Sequence, residues 1–428
     1  MVMQKPIDYI VYFSFYPLAR QMKNLRLIPK GHRGGIGNSG TQGVKAGNLI
    51  FVGGQMSIDE QGRVIGHDIA TQTRNAFESI RNVLAEAGAR MDDVVKHNVY
   101  YDFTGDDEEV SRLLAEMNQI RLDYFSEPGP TSTEIRAGLT VEGALVEVEA
   151  VAAMGPEKER LMPAGHWNWH EPMPFSHGWK VGNIVFVGGQ RSLDENGRLI
   201  GAGDISAQTG NVFRNLEAIL KEAGGDRTTL LRQNTYYRFV GDGPEITEYW
   251  EDMTRVRMQY FAVPAPCGTG VRVMGLPHSE ELIQVEGMGV LGNGKQRLAP
   301  ADHWDWSIPN NQFTHGWRIG NLVFVGGQIS VDENARAIGE DMATQTRNVF
   351  RFIGKMLKEA GADESDVVKL NSYYYAEEDR VGEAHATLTD IQREFYPDPG
   401  PASTSVRVRG FAYEDLLVEI EAIAVLDR

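Results

Sequence analysis

A chain of 428 residues has room for two to four domains, each able to bury its own core. Its 42 Lys and Arg stand against 59 Asp and Glu, a net charge of −17 that repels phosphate backbones, and no run of basic residues offsets it, so no nucleic-acid partner is expected. The single cysteine, Cys267, rules out an intrachain disulfide framework and fits a reducing compartment, which makes the cytoplasm the expected address.

Residues 1–24 carry an apolar stretch, Ile10 to Ala19, that is too short to span a bilayer and is interrupted by Pro17. No clean small-residue cleavage site follows. We read this segment as a dispensable extension and expect no membrane partner. From Leu25 onward the chain repeats itself. "GNLIFVGGQMSIDEQGRVIG" from Gly47 returns as "GNIVFVGGQRSLDENGRLIG" from Gly182 and as "GNLVFVGGQISVDENARAIG" from Gly320. The copies divide the chain into residues 25–155, 156–293 and 294–428.

Within the first copy, "NLIFVGGQ" is a short β-rich run, and "DEQGR" supplies turn chemistry before a second short strand. Ala76, Phe77, Ile80, Val83 and Leu84 then fall at helical spacing, and the pattern stops at Gly88. "DDVVKHNVYYDF" reads as a strand, and a second helix runs from about Asp107 to Phe125, closed by "EPGP". Two more strands follow, the last carrying Val146, Val148 and Val151. The order ββαβαββ predicts an α+β unit, a mixed sheet with two helices on one face. Three tethered copies most simply close on one another as an intramolecular pseudo-trimer.

Several residues carry candidate chemistry. Glu147 and Glu419, in the last strand of copies one and three, each precede a second glutamate by two residues, Glu149 and Glu421, on the same strand face. Paired carboxylates on a half-buried face push one pKa upward, which suits a general acid or base; a solvated rim of charge is the alternative. The middle copy has Gln284 there, which cannot act as a base. Arg407 and Arg272 both sit in "VRV", and Arg407 shares a face with Ser403, so these arginines are candidates for an anion clamp against the alternative of ordinary surface pairing. Arg136 lies in a segment one residue shorter, which leaves its facing open. Arg409 has Met274 and Ala137 as counterparts and reads as a surface charge.

The pairs Gly53-Gly54, Gly188-Gly189 and Gly326-Gly327 allow either a close backbone approach or a bulge. Tyr100, Tyr236 and Tyr373 either line an aromatic-tolerant cleft or fill a core. His177 and His315 stand beside Trp179 and Trp317, but copy one has Gln42 in their place and no histidine pair recurs at ligand spacing. No metal and no cofactor are expected; these histidines either anchor the linkers or shuttle a proton. No nucleophilic triad, P-loop or dinucleotide fingerprint is present.

Taken together, "FVGGQ" after "GN", the "ATQTRN" helix and the closing "VEIEAIAV" resemble the Rid/YjgF family, three times over nearly the whole chain. The resemblance implies a chorismate-mutase-like α+β fold in a barrel-like trimer, with ligand clefts at the protomer junctions. It further implies hydrolysis of enamines or imines with release of ammonia; some relatives deaminate 2-aminomuconate in aromatic-ring catabolism. It places Glu147 and Glu419 on the attacking water, Gly54, Gly189 and Gly327 along the ligand, and His177 and His315 near it. The family's carboxylate-binding arginine, aligned back from the following Gly-Leu or Gly-Phe, falls on Thr131, Gly268 and Ser403, none of them arginine. The expectation is a cofactor-independent hydrolase or deaminase of small anionic enamine, imine or amide compounds, its clamp rebuilt from Arg407 or Arg272 and its cleft lined by Tyr100 and Tyr373. The rivals are a ring-opening cyclic amide hydrolase, for which no recurring Ser–Lys pair is found, and a non-catalytic binder of small metabolites.

Overall fold

A two-residue Gly-Asn turn starts each repeat. In the computed structural model, which describes residues 24–30, 41–103, 105–169, 173–305 and 313–427, strand Gly43–Ala46 turns at Gly47 and returns as Leu49–Met56. Gly178–Val181 with Ile184–Gln190, and Gly316–Ile319 with Leu322–Ile329, repeat the hairpin. Gly47, Gly182 and Gly320 sit at φ +61°, +57° and +57°, a left-handed conformation that this tight turn demands and a Cβ would oppose. One expectation is thereby corrected. The short strand lies before the long one; after the "DEQGR" turn there are only the single bridges Ile58–Val64, Leu193–Leu199 and Val331–Ala337. The extension before Asn24 lies outside the described residues.

The rest of the repeat follows the apolar patterning. Helix Ile69–Glu86 buries Ala76, Phe77, Ile80, Val83 and Leu84, and the Asp68 carboxylate caps its N-terminus through the Thr71 N–H. Strand Val94–Tyr101 is followed by helix Asp107–Arg121, strand Thr131–Arg136 and strand Val146–Ala153. The first sheet runs, edge to edge, Leu25–Leu27, Gly43–Ala46, Leu49–Met56, Val146–Ala153, Val94–Tyr101, Thr131–Arg136. All its pairs are antiparallel except the last, where Thr131–Arg136 runs parallel to Val94–Tyr101. The equivalent parallel strands are Cys267–Arg272 and Ala402–Arg407. The second sheet gains a seventh strand, Gly410–Phe411, lent by the third repeat. Among the described residues no helix is long and apolar enough to cross a membrane.

Each parallel strand, paired within its own sheet, also lies against the Gly-Gly strand of the next repeat, so the three repeats close into a ring. A Cβ on Gly53 would stand 2.7 Å from the Ser403 carbonyl, one on Gly188 2.8 Å from Thr131 Cβ, and one on Gly326 2.9 Å from Cys267 Cβ. The first glycine of each pair is therefore where two repeats touch backbone to backbone. The inner face of the ring is built in layers. Phe51, Phe186 and Phe324 with Trp179 and Trp317 form an apolar layer, and Tyr100, Tyr236 and Tyr373 with Ile135, Val271 and Val406 form a second.

The same inner face carries three carboxylates and three cations, one of each per repeat. Glu149 pairs with Lys369 (2.7 Å), Glu286 with Lys96, and Glu421 with Arg232, and every pair crosses a junction. These six side chains are between 2 % and 8 % exposed. Thr404, Thr133 and Thr269 donate to the same carboxylates across the same junctions, and Asn98, Asn234 and Asn371 add amide donors. Burial alone would raise the Glu149 pKa, but Lys369 overrides it and holds the carboxyl below its usual value.

Breaking one such pair leaves a charge buried without its partner, which costs about 3–5 kcal/mol. Lys96→Met is expected to destabilise by that order in urea denaturation. Adding Glu286→Leu should recover much of the loss, because a paired hydrophobic replacement removes both desolvation penalties. Since the ring closes within one chain, sedimentation should return a mass near 47.6 kDa and not a three-chain assembly.

Candidate functional site

The second glycine of each pair makes room for one side chain from the last strand. A Cβ at Gly54 or Gly327 would overlap the carboxyl of Glu147 or Glu419, and one at Gly189 would meet Gln284 Nε2 at 2.6 Å. The structure thus brings together Glu147 with Gly54, Gln284 with Gly189 and Glu419 with Gly327. All three lie where a Gly-Gly strand meets the parallel strand of the preceding repeat, at three junctions that are equivalent in backbone and different in chemistry.

Strand register corrects the alignment of the parallel strand. Thr131, Cys267 and Ala402 are equivalent, as are Ser132, Gly268 and Ser403. The residue missing from copy one lies after Arg136, between it and Gly138, so Ser132 and not Thr131 is the counterpart of Gly268 and Ser403. Thr131 faces inward. Arg136, Arg272 and Arg407 then fall in one register, opposite Tyr101, Tyr237 and Tyr374.

At the second–third junction, Glu419 borders a small opening of about 30 Å³ lined by Trp250, Gly270, Phe313, Phe411 and Leu416. Burial pushes the Glu419 pKa well above the carboxylate range, and Glu421 adds to the rise. Its Oε1 accepts from the Gly270 N–H (3.1 Å), which lies in the neighbouring repeat. Phe313 stacks on Trp250, fills the space a side chain at Gly268 would need, and carries the Arg257 guanidinium 3.7 Å above its ring.

The third–first junction holds Glu147, whose pKa is pushed to about 8 by burial and by Glu149 against the opposing pull of Lys369. Its Oε2 is buried without a partner, as is the hydroxyl of Ser405, which stands in register with Gly270. Ser403 accepts a hydrogen bond from Gln392 Nε2 (3.0 Å). The first–second junction has Gln284 and a set of ion pairs instead. Arg121 reaches Glu134, Ser132 and His97, and Arg191 pairs with Glu281. Arg121, Arg257 and Gln392 occupy one helix position in the three repeats, so each junction has received a different outer wall.

Other candidates stand elsewhere. The side chains of Arg407 and Arg272 leave the sheet at the strand end: Arg407 contacts the Ala376 carbonyl and Glu378, and Arg272 donates to the carbonyls of Gly241 and Arg409. Sharing a face with Ser403 does not bring Arg407 to Glu147, because four residues of extended chain separate them along the strand by about 13 Å. Tyr100 and Tyr373 belong to the inner layer; Tyr100 donates to Glu149 (3.3 Å), and the Tyr373 hydroxyl bonds that of Tyr236 (3.1 Å). His177 packs against His166, Trp167 and Trp169, and burial drives its pKa to about 2. His315 packs against His303 and Trp304, and burial takes its pKa to about 4. Both rings are neutral and hold the linkers, while their backbone carbonyls brace Gly188 and Gly326 (2.9 Å each).

The residues missed in the sequence are the second tyrosines of each "YY". Tyr237 and Tyr374 present buried hydroxyls without hydrogen-bond partners, and the junction carboxyls Glu419 and Glu147 act on them electrostatically. Period-two alternation was the available signal, since it turns Tyr237 and Tyr374 to the opposite face from Tyr236 and Tyr373.

The family profile described as Endoribonuclease L-PSP matches residues 38–154, 170–289 and 307–426. A RutC family protein of Pyrococcus abyssi is 38% identical over 113 residues, 26% of this chain and 84% of its own length. The 3-aminoacrylate deaminase RutC of Acinetobacter baylyi is 31% identical over 109 residues, 25% of this chain and 81% of its own length. A chorismatase crystal structure superimposes with a TM-score of 0.52 at 15% identity, covering 78% of this chain and 93% of the other, which is a likeness of fold alone.

A carboxyl raised from 4.5 to about 8 contributes stability that is complete below pH 4.5 and is lost as pH rises through about 8. Glu147→Gln removes that ionisation, and Gln284 shows that the backbone accepts the amide at an equivalent position. The variant should therefore melt higher than the parent at about pH 9 and level with it at about pH 5, measured by thermal unfolding across pH.

Proposed function

Because the chain belongs to the Rid/YjgF family, described as Endoribonuclease L-PSP, in three tandem copies, we propose that it is a hydrolase that deaminates small enamines or imines, with its chemistry centred on the second–third junction. The observation that carries this reading is Glu419: a carboxyl held in its protonated form by burial, aimed into an aromatic-walled opening. In such surroundings the neutral acid gives its proton to the imine nitrogen, or to the β-carbon of the enamine tautomer. Water then adds to the iminium carbon, and the Glu419 carboxylate takes up the proton the water sheds. Collapse of the carbinolamine breaks the C–N bond, leaving a carbonyl compound and ammonia.

The other groups fit supporting roles. The Gly270 N–H fixes Glu419 Oε1, and the Tyr237 hydroxyl, kept protonated by burial, can donate to the oxygen being added. Trp250, Phe313 and Phe411 suit a flat, unsaturated substrate body. For a substrate carboxylate this reading turns to Arg257 beside Phe313, in place of Arg407 or Arg272. Glu147, with Tyr374 and the hydroxyls of Ser403 and Ser405, forms a second and more polar site; Gln284 leaves the first–second junction without an acid.

Ammonia release from freshly generated 2-aminoacrylate, 3-aminoacrylate and 2-aminomuconate tests this. Glu419→Gln should lower kcat/KM by about 10²–10⁴-fold, and Tyr237→Phe should lower kcat while leaving the melting temperature unchanged. Turnover that survives Glu147→Gln with Glu419→Gln refutes the catalytic assignment. No turnover, with a saturable thermal shift, supports the non-catalytic binder instead.

A further inference from the structure

The arginines displaced from the junctions converge at one end of the ring. The backbones of the three repeats meet there in pairs: Arg136 bridges Gly275, Arg407 bridges Gly138, and Arg272 pairs with Gly410. Each contact sets a strand-end arginine against a glycine of a neighbouring repeat, and a Cβ at Gly138 would stand 2.6 Å from Arg407 Nε, one at Gly410 3.0 Å from Arg272 Nη2. The result is a collar of three equivalent arginines. Arg238 and Arg409 join them around an open cavity of about 750 Å³ to which all three repeats contribute.

The convergence of five guanidinium groups is unfavourable unless it is compensated. Four carboxylates, Asp102, Asp242, Glu377 and Glu378, line the cavity against the five arginines. Asp242 and Glu378 are 95 % and 92 % exposed, so water screens their pull, and the Glu377 carboxylate accepts from the Tyr375 hydroxyl. Asp102 is raised by burial, although Arg407 and Arg136 pull it down.

The arginines themselves are satisfied largely by backbone carbonyls, which fill donors without cancelling charge. Arg272 donates to the carbonyls of Gly241 and Arg409 (2.6 Å each), while its Nε, on a side chain only 8 % exposed, has no partner. Arg238 donates to the Ser279 carbonyl. Arg407 makes one 3.4 Å contact to the Ala376 carbonyl and a 3.8 Å approach to Glu378. The Arg136 side chain makes no hydrogen bond or ion pair among the described residues, its backbone being held by Gly275 and Met274. A cationic pocket in a chain of net charge −17 is thus built by the threefold closure itself, apart from the carboxyl-bearing junctions.

We propose that this collar binds a compact polyanion carrying two or three carboxylate or phosphate groups, one group to each of Arg136, Arg272 and Arg407. Planar forked donors suit both groups, and the threefold spacing favours several anionic groups on one small molecule over a single charge.

The test titrates citrate and inorganic tripolyphosphate, separately, against the full chain by calorimetry and thermal shift, with sodium chloride matching ionic strength. Saturable binding of one or both is expected; citrate alone identifies a carboxylate ligand and tripolyphosphate alone a phosphate ligand. Arg136→Gln with Arg407→Gln should weaken binding at least about tenfold, while Glu419→Gln should leave it intact, so the collar and the junction chemistry fail separately. Should the double variant not fold, Arg136→Gln alone carries the test, since this guanidinium has no bond to lose. A response no larger than that to chloride, or affinity unchanged in the folded arginine variants, overturns the proposal.

Discussion

Everything else in the molecule is positioned by three buried ion pairs that cross from one repeat to the next. Glu149 with Lys369, Glu286 with Lys96, and Glu421 with Arg232 form a closed cycle in which no repeat satisfies its own charge. A repeat on its own would present its carboxylate and its cation to water; closing the ring strips both of hydration, and the partners across the junctions offset that cost. A closed arrangement that left any of these charges unpaired is disfavoured, and this selects the alignment of each parallel strand on the next Gly-Gly strand. The junction side chains inherit their placement from that ring: Glu147 and Glu419 sit two residues from Glu149 and Glu421, on the same strand face.

This coupling also separates the paired carboxyls. In each pair the glutamate on the ring faces a cation across a junction, while burial raises the pKa of the one at the junction. In strand Val146–Ala153 the shifts run in opposite directions, Glu149 lowered by Lys369 and Glu147 raised by burial, the arrangement that lets one carboxyl serve as framework and the other as acid.

Much of the fold was legible because it is written three times. The copies, the two amphipathic helices and the closing strand followed from repetition and period. The misplaced short strand did not, because a β-bridge loop such as "SIDEQGRVIG" and a hairpin share the same turn residues, and only pairing distinguishes them. The site was half legible. Glu147 and Glu419 stood out as paired acids, yet their partners across the junctions, Lys96, Arg232 and Lys369, recur in "VVKHN", "LLRQN" and "VVKLN" and were passed over. A cation two residues before an asparagine in three strands is a signal of repeat-to-repeat pairing that becomes readable only once closure is assumed. Arg407 misled for a different reason: face parity was right, but distance along the strand decides which cavity a side chain enters.

The glycine at position 268 then acquires a physical sense. A guanidinium at Gly268 would face the same opening as Glu419 and would favour its ionised form, lowering its pKa. Glycine there, with Phe313 folded into the vacated space over Trp250, does the reverse: it removes the cation and replaces it with apolar wall. One position therefore bears on both what the cleft can hold and what its carboxyl can do. On the proposed chemistry, Glu419 starts as a proton donor and takes a proton back from the attacking water, while recognition rests on the flat faces of Trp250 and Phe313 with Arg257 behind them.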